Sequence, residues 1–328
     1  MAVKNVLEAV RDTLFEAMGR DQRVMVLGED VGRHGGVFNA TQGLYEAFGE
    51  DRVVDTPLAE SSIVGIAIGA AFGGLLPVAE IQFADFIHPA VDQIINEAAK
   101  IRYRSNGDFG CPIVIRVPYG GGVHGGLYHS QSVEALFFST PGLKIVAPTT
   151  PADVKGLLLA AIYDPDPVIF LEHKASYRAI KGEYPEGEFV LPIGPADVKR
   201  AGTDLTVVSY GMTMHYALQA AEELSREEGI EAEVIDLRTL LPLDRRTIVD
   251  SVKKTGKLLV VHEDNLTGGV GAEVAATVAD EAFMYLDAPI RRLAALDVPS
   301  TPYHPALERA MLPSKAQVKE AILELARY

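Results

Sequence analysis

The feature that most constrains the fold of this chain is the run of residues 61–79, which contains no charged side chain. A helix on a protein surface carries a polar face, so a helix formed by this run must be buried on most sides. The run approaches the length of a membrane span. Its many Gly and Ala residues, Pro77 and the strand pattern that follows favour a buried helix instead. We therefore predict a core helix and no membrane segment.

Glu60 stands immediately before this run, where a strand pattern changes into a helical one. A carboxylate in such apolar surroundings loses solvation and needs a compensating partner, which makes an ionisable group there a functional candidate. The alternative is that Glu60 only occupies the first helical turn, where the helix dipole favours an anion. The residue pattern by itself leaves both interpretations open.

The composition is that of a globular protein and narrows the class of partner. The 328 residues suffice for about two domains, and 48% of them are hydrophobic. The net charge of −15 argues against nucleic acid or an anionic membrane and leaves room for a basic protein partner. A single cysteine, Cys111, forms no internal disulfide and fits a reducing cytosol. We expect a cytoplasmic protein.

Helix and strand patterns alternate along the chain, which implies mostly parallel sheets covered by helices. Prolines and glycines among charges after Lys174 indicate a linker. We predict an α/β fold with two domains, each a mostly parallel sheet flanked by helices, at 1–185 and 204–328, joined by a linker at 186–203. The predicted elements include helices Val3–Met18, Thr41–Phe48 and Asp85–Tyr103, and strands Val24–Leu27, Pro77–Phe83 and Pro112–Val117.

A glycine-rich segment, Tyr119–Ser132, directly follows a predicted buried strand. Its five glycines allow close approach of the backbone to a ligand, and ligands of open α/β sheets lie at the carboxyl ends of strands. No Gly-Lys-Ser/Thr follows, so the segment is not a P-loop. One interpretation makes His124 or His129 a proton donor or hydrogen-bonding group for a substrate. The other is a flexible surface loop.

Two weaker patterns are also present. Gly268–Glu273 resembles half of a dinucleotide fingerprint but lacks its third glycine, and we interpret it as a helix start. Asp164 and Asp166 flank Pro165, where they would either hold a cation or only form a turn.

Several short strings, spread over essentially the full length of the chain, together match one protein family. They are Leu27–Gly32, Asp55–Glu60, Ala79–Asp85, Leu127–Ser132, Pro141–Lys144, Lys155–Leu158, Asp236–Thr239 and Leu266–Gly269. In these strings the chain resembles the beta subunits of the thiamine diphosphate-dependent decarboxylating component of 2-oxoacid dehydrogenase complexes, in the transketolase-like superfamily. The resemblance is strongest to branched-chain 2-oxoacid dehydrogenase, with the pyruvate and acetoin enzymes as close relatives.

This resemblance implies a heterotetramer of two alpha and two beta chains, with thiamine diphosphate at each alpha–beta interface. This chain lacks a Gly-Asp-Gly motif with a downstream asparagine pair, which would place magnesium on the diphosphate, so another chain must hold that end of the cofactor. The alpha chain would hold the diphosphate and magnesium, and the pyrimidine-binding domain at 1–185 would contact the aminopyrimidine. The reaction implied is oxidative decarboxylation of branched-chain 2-oxoacids with lipoamide as acyl acceptor. The transketolase C-terminal-like domain at 204–328 would dock the subunit-binding domain of the acyltransferase core.

The resemblance also carries roles to individual residues. Glu60 matches the glutamate that hydrogen-bonds the pyrimidine ring nitrogen, and His129 matches the active-site histidine that steers the substrate carboxylate or donates a proton. Leu58 and Gln82 match residues that line the pyrimidine pocket. Phe86 stands where branched-chain members often carry tyrosine, so it keeps the ring contact and lacks the hydroxyl.

A structural potassium ion in the beta chain is a further property that the resemblance implies. Its ligands would be four backbone carbonyls and two side chains, and Asp166 stands where asparagine is common in the family. The ligand set is Ile113, Val114, Ala161, Ile162, Asp164 and Asp166.

Two other functions remain to be weighed. A non-catalytic docking subunit would keep an acidic C-terminal domain and need neither Glu60 nor His129. A sugar transketolase split into two chains would need a cluster of arginines or histidines for substrate phosphates, which the sequence does not plainly show.

Overall fold

The computed structural model describes residues Ala2–Tyr328 as alternating strands and helices. The strands are β1 Ala2–Asn5, β2 Val24–Gly28, β3 Val53–Asp55, β4 Leu76–Glu80, β5 Val114–Tyr119, β6 Lys144–Val146, β7 Val168–His173, β8 Lys181–Tyr184, β9 Asp197–Arg200, β10 Leu205–Ser209, β11 Ala232–Asp236, β12 Thr239–Leu241, β13 Leu258–Asn265 and β14 Arg291–Ala295. The α-helices are α1 Val6–Arg20, α2 Leu44–Phe48, α3 Glu60–Phe72, α4 Ile101–Arg104, α5 Glu134–Phe138, α6 Pro151–Ile162, α7 Ser176–Ala179, α8 Gly211–Glu228, α9 Arg245–Thr255, α10 Val270–Glu281, α11 Pro305–Met311 and α12 Lys315–Ala326. Short 3₁₀ turns occur at Ala84–Phe86, His88–Ala90, Ala98–Lys100, Gly126–Tyr128 and Phe283–Tyr285, with a π-turn at Gln93–Glu97.

The chain divides into two compact units, each built from segments distant in sequence. The first unit combines the residues up to Tyr119 with Ser139–Ile193, and the second combines Gly120–Phe138 with Gly194–Tyr328. Most of the glycine-rich segment therefore belongs to the second unit, although it falls within the first predicted domain. The predicted domain limits at 1–185, 186–203 and 204–328 remain predictions.

The strands of the first unit form a parallel sheet in the order β6-β7-β5-β4-β2-β3. Strands β2, β4, β5 and β7 are buried along their whole length, as expected for a parallel sheet with helices on both faces. In register, Gly28 of β2 lies opposite Asp55 of β3 and Glu80 of β4. The carboxyl ends of these three neighbouring strands therefore meet at one edge.

The predicted helix Val3–Met18 is shorter at its start than the sequence suggests. Residues 2–5 form β1, which pairs antiparallel with β8, and α1 begins only at Val6. Asn5 caps the helix, because its side chain accepts from the Glu8 amide at 2.8 Å while the Glu8 carboxylate accepts from the Asn5 amide at 2.8 Å. The capping box therefore sets the start of α1 at Val6, whereas the spacing of apolar residues predicted a start at Val3.

Two other predicted helices are also shorter or interrupted. Thr41–Phe48 becomes α2 from Leu44, since Gly43 takes φ = 85° and cannot continue a right-handed helix. Asp85–Tyr103 is divided into 3₁₀, π and short α turns. Pro89, which lacks an amide hydrogen, lies within the second of these turns.

The second unit contains a five-stranded sheet in the order β14-β13-β10-β11-β9. Strands β10, β11, β13 and β14 run parallel, and β9 is antiparallel to β11 at the edge. Strand β9 lies inside the segment predicted as a linker. Three of its four residues are charged, so the sequence gives no hydrophobic alternation that would predict a strand, and the strand is only partly buried. Both units confirm the predicted α/β class of mostly parallel sheets flanked by helices.

Helix α3, formed by the uncharged run, is buried on one face only within this chain. Ile63, Val64, Ala67, Ile68 and Ala71 are buried, whereas Ile66 is 54% exposed and Phe72 is 51% exposed. The expectation of burial on most sides therefore fails for the single chain. No helix in residues 2–328 combines the length and apolar character needed to cross a membrane.

Candidate active site

The predicted site residues of the first unit lie at the carboxyl edge of its parallel sheet. Glu60 is the first residue of α3, five residues after the end of β3. Gln82 follows β4, and Glu29 directly follows β2 between them. The N-cap residue of α3 is Ala59, which has no side-chain oxygen to cap the helix. The Glu60 carboxylate therefore stands at the positive end of a helix.

Asp55 fixes the two loops that flank this site. Its Oδ1 accepts a hydrogen bond from the Gly32 amide at 2.6 Å, and the adjacent Thr56 amide donates to the Gly28 carbonyl at 2.9 Å. A Cβ atom at Gly32 would lie only 2.6 Å from Asp55 Oδ2. The close approach requires glycine at position 32 and couples the loop after β2 to the segment that leads to Glu60.

Glu29 is a candidate residue that the sequence did not single out. Burial raises the pKa of its carboxyl, and the nearby charges of Asp30 and Glu60 raise it further. The Gln82 side-chain amide donates to the Glu29 carbonyl at 3.2 Å. Glu29 lies within the string Leu27–Gly32, and its place at the end of a strand next to β3 is the signal that would have identified it.

The two apolar residues predicted at the site have different surroundings. Leu58 is 70% exposed, which leaves a large apolar side chain in contact with solvent in the single chain. Phe86 packs edge-on against Phe83 with ring centroids 5.8 Å apart, and Phe83 contacts Phe38 at 5.4 Å. The ring of Phe86 is thus fixed by an aromatic cluster rather than by a hydrogen bond.

A buried ionic cluster lies beneath the same edge of the sheet. Arg116 donates to Glu172 through Nε at 2.6 Å and through a second nitrogen at 2.8 Å, and to Glu80 at 2.5 Å. Tyr177 donates its hydroxyl to Glu172 at 2.6 Å. Burial raises the pKa of Glu80, while Arg116 opposes that rise. The cluster joins β4, β5 and β7 and gives the loop that carries Gln82 a rigid base.

His129 belongs to the second unit, so the structure groups Leu58, Glu60, Gln82 and Phe86 in one unit and His129 in the other. His129 is exposed and follows the 3₁₀ turn Gly126–Tyr128. The Gly125 amide donates to Ser130 Oγ at 3.0 Å, and a Cβ atom at Gly125 would lie 2.7 Å from His129 Cβ. The turn that presents His129 is therefore compact rather than loose.

The predicted potassium ligands lie where two cationic side chains already neutralise the carboxylates. Lys144 Nζ contacts both oxygens of Asp164 at 2.6 Å, and Arg102 Nε contacts Asp166 at 2.5 Å. No group of three or more His, Cys, Asp or Glu residues suited to a metal ion occurs in residues 2–328. Two of the four carbonyls also accept hydrogen bonds, Ile113 from the Val168 amide at 3.0 Å and Ala161 from the Asp164 amide at 3.3 Å. The potassium site remains a prediction.

The glycines near residue 270 serve packing and not dinucleotide binding. Helix α10 begins at Val270, which confirms the predicted helix start. A Cβ atom at Gly269 would lie 2.6 Å from His262 Cε1, and one at Gly271 would lie 2.7 Å from His262 Nε2. These glycines make room for the buried His262 ring.

Comparison with known proteins agrees with this arrangement. Residues 3–180 match the family "Transketolase, pyrimidine binding domain", and residues 194–318 match "Transketolase, C-terminal domain". The 2-oxoisovalerate dehydrogenase subunit beta of Bacillus subtilis (strain 168) is 59% identical over 328 residues, covering 100% of both chains. The chain belongs to the transketolase-like 2-oxoacid dehydrogenase beta subunits.

Other members of this beta-subunit family are similar over nearly the whole chain. The pyruvate dehydrogenase E1 component subunit beta of B. subtilis is 47% identical and covers 100% of both chains. The mitochondrial 2-oxoisovalerate dehydrogenase subunit beta of Dictyostelium discoideum is 47% identical, covering 99% of this chain and 87% of its own. A solved split-gene transketolase, an inactive beta4 tetramer, has a TM-score of 0.78 at 24% identity, with 98% of each chain covered, which supports the fold.

Proposed function

We propose that this chain is the beta half of a thiamine diphosphate-dependent dehydrogenase that decarboxylates branched-chain 2-oxoacids and transfers the acyl group to lipoamide. The observation that carries the proposal is Glu60 at the N-terminus of α3, on the sheet edge that also holds Glu29 and Gln82. The full-length identity of 59% to a 2-oxoisovalerate dehydrogenase beta subunit favours the branched substrate over pyruvate, for which the identity is 47%.

The residues of the first unit fit the aminopyrimidine end of thiamine diphosphate. When bound, the cofactor supplies the electron sink for decarboxylation. Glu60 holds the proton at the pyrimidine ring nitrogen, and Gln82 positions the neighbouring loop. Leu58 and Phe86 supply the apolar contacts that exclude water from the ring. In the second unit, His129 steers the substrate carboxylate or donates a proton during acyl transfer.

The exposed apolar face of α3 supports the proposal that this chain binds an alpha subunit. Ile66, Phe72 and Leu75 are exposed on a stretch of chain without charge, and an apolar surface of this kind marks an interface. Gly69 lies on the same helix with no atom of this chain beyond that helix within 4 Å of where its Cβ would be, which permits close approach of another backbone. We propose a tetramer of two alpha and two beta chains, in which alpha holds the diphosphate and magnesium.

The acyltransferase core is proposed as the second partner, through its subunit-binding domain. The net charge of −15 supports attraction of a basic docking domain, with the second unit as the docking surface. The acidic charge and single cysteine also support a cytoplasmic location. A non-catalytic docking subunit would share these properties, and it is distinguished by having no need of Glu60.

A potassium site is proposed in a form restricted to backbone ligands. The carbonyls of Ile113, Val114, Ala161 and Ile162 would bind the ion, while Asp164 and Asp166 keep their pairing with Lys144 and Arg102. Potassium chloride should then raise the melting temperature above that in sodium chloride of equal ionic strength. Equal melting temperatures in the two salts would contradict the proposed potassium site.

The proposed function is tested by co-expression of this chain with an alpha subunit of the same family. Turnover of 3-methyl-2-oxobutanoate and of pyruvate is measured with a dye acceptor, with and without thiamine diphosphate. We expect cofactor-dependent turnover of the branched acid by the tetramer and none by either chain alone. Turnover of pyruvate alone would assign pyruvate as the substrate and leave the mechanism unchanged. An inactive but well-formed tetramer would favour a non-catalytic docking subunit.

A further inference from the structure

Two carboxylates of the second unit fasten the glycine-rich segment through its backbone. Glu308 Oε1 accepts hydrogen bonds from the Gly122 amide at 2.9 Å and the His124 amide at 3.4 Å. The other oxygen, Oε2, contacts Nδ1 of His124. Glu263 accepts from the Gly121 amide at 2.5 Å. Consecutive backbone amides of the segment are thus held by side chains from distant parts of the chain.

Glu308 is placed so that its carboxylate is available mainly to this segment. It lies on α11 and is 1% exposed. A buried carboxylate is costly unless it is hydrogen-bonded, and here the amides of the segment and the His124 ring supply the donors. The dependence is mutual, because the same amides would lose their acceptor if the carboxylate were removed.

The residues around Glu308 also shape the segment by contact. A Cβ atom at Gly121 would lie 2.6 Å from Leu312 Cδ1, and one at Gly126 would lie 2.9 Å from Tyr303 Cδ2. Thr301 donates its hydroxyl to the Ser130 carbonyl at 3.2 Å, next to His129. The stretch from Thr301 to Leu312 therefore forms a support for the backbone on which His129 stands.

His124 adopts a backbone conformation that needs such support. Its φ of 58° lies in the left-handed region, which non-glycine residues seldom occupy without compensation. Contact of its ring and its amide with Glu308 supplies that compensation. Of the two histidines considered from the sequence, His124 is thus engaged in holding the segment.

We propose that Glu308 is a positioning residue, which fixes the glycine-rich segment through Gly122 and His124 and so sets the place of His129. The inference rests on the proposed function of His129. A segment with five glycines has a large conformational entropy when unrestrained, so an anchor is needed to orient the histidine. A displacement of about 1 Å in such a group costs on the order of 100-fold in rate.

The first test compares Glu308→Gln with Glu320→Gln, an exposed glutamate on α12 that serves as the charge-matched control. Both variants are measured in the reconstituted tetramer with 3-methyl-2-oxobutanoate. We expect Glu308→Gln to lower kcat/KM by about 10- to 100-fold while the affinity for thiamine diphosphate stays within twofold of wild type. Glu308→Asp retains the charge and should recover part of the loss. Unchanged kcat/KM in Glu308→Gln would overturn the proposal.

A double-mutant cycle with His129→Ala separates positioning from general stability. If Glu308 acts through His129, Glu308→Gln should cost less than about twofold in the His129→Ala background. The same loss in both backgrounds would contradict the proposal. If Glu308→Gln does not assemble, Glu308→Asp replaces it in the cycle with the same criteria. An inactive wild-type tetramer would instead refute the proposed function itself, so the two failures are distinct.

Discussion

The side-chain amide of Gln82 donates a hydrogen bond to the backbone carbonyl of Glu29 at 3.2 Å. This bond joins the loops that follow β4 and β2, and the Asp55 contact with Gly32 joins the second of these to the segment before Glu60. Three neighbouring strand ends are therefore linked by side chain to backbone bonds. Their coupling is the basis for regarding this sheet edge as a preorganised binding site.

Replacement of Gln82 by methionine removes this bond at nearly constant volume. Because the loop that carries Glu29 loses a donor, we expect the affinity of the tetramer for thiamine diphosphate to fall by about 5- to 10-fold, which corresponds to about 1 kcal/mol. The affinity is measured by titrating activity with the cofactor. An affinity equal to that of wild type would show that the Gln82–Glu29 bond does not shape the site.

Replacement of Ile66 tests the proposed interface on α3. Ile66→Lys places a charge on the exposed apolar face, and since the side chain is 54% exposed, the fold of the single chain should survive. We expect loss of co-purification with the alpha chain and a normal circular dichroism spectrum. Val3→Lys, a change at another exposed apolar residue, serves as control. A stable tetramer containing Ile66→Lys would exclude this face from the interface.

The buried ionic cluster makes a prediction about stability. Arg116→Met leaves the carboxylates of Glu80 and Glu172 buried without their cation. We expect the free energy of unfolding in urea to fall by about 3–5 kcal/mol, with a smaller fall for Arg116→Lys. If Arg116→Met lowers the free energy of unfolding by less than about 1 kcal/mol, the ionic cluster contributes little to the stability of the first unit.

His262 predicts a pH dependence of stability. Burial lowers the pKa of its ring from 6.5 to about 4, so the folded state keeps the ring neutral where the unfolded chain takes up a proton. Above pH 6.5 the ring is neutral in both states and does not lower the free energy of unfolding. As the pH falls from 6.5 towards 4, the free energy of unfolding decreases, because the unfolded state binds more protons than the folded state. Near pH 5 the loss is about 2 kcal/mol.

His262→Leu removes this titration and provides the comparison. The free energy of unfolding is measured in urea at pH 7.5 and pH 5 for both proteins. We expect wild type to lose about 2 kcal/mol more than the variant between these values. Equal losses would show that the pKa of the His262 ring is the same in the folded and unfolded states.

Much of the sheet edge could be predicted from sequence, because strand and helix periodicity is a local property. The predicted strand–helix transition at Glu60 and the predicted strands Val24–Leu27 and Pro112–Val117 lie within two residues of the observed boundaries. The sequence does not predict strands β1 and β9, because each is a half-exposed strand whose pairing partner lies far along the chain. Pattern reasoning detects buried parallel strands better than edge strands.

The support of the glycine-rich segment could not be predicted from the sequence. Glu308 contacts His124 across 184 residues, and no periodicity relates a single buried glutamate to the backbone amides of a distant loop. The exposure of one face of α3 could not be predicted for a related reason. The absence of charge predicts that a helix is covered by other residues, but it does not indicate whether those residues belong to the same chain or to another. Both cases depend on tertiary or quaternary partners.

Replacement of the Glu60 carboxylate tests its proposed role in catalysis. Glu60→Gln and the exposed control Glu46→Gln are reconstituted with the alpha chain, and turnover of 3-methyl-2-oxobutanoate is measured at saturating thiamine diphosphate. We predict that Glu60→Gln lowers kcat by about 100- to 10,000-fold in an intact tetramer that still binds the cofactor, since proton control at the pyrimidine is lost. The control should keep full activity. Full activity in Glu60→Gln would contradict the proposal that Glu60 is a catalytic residue of this chain.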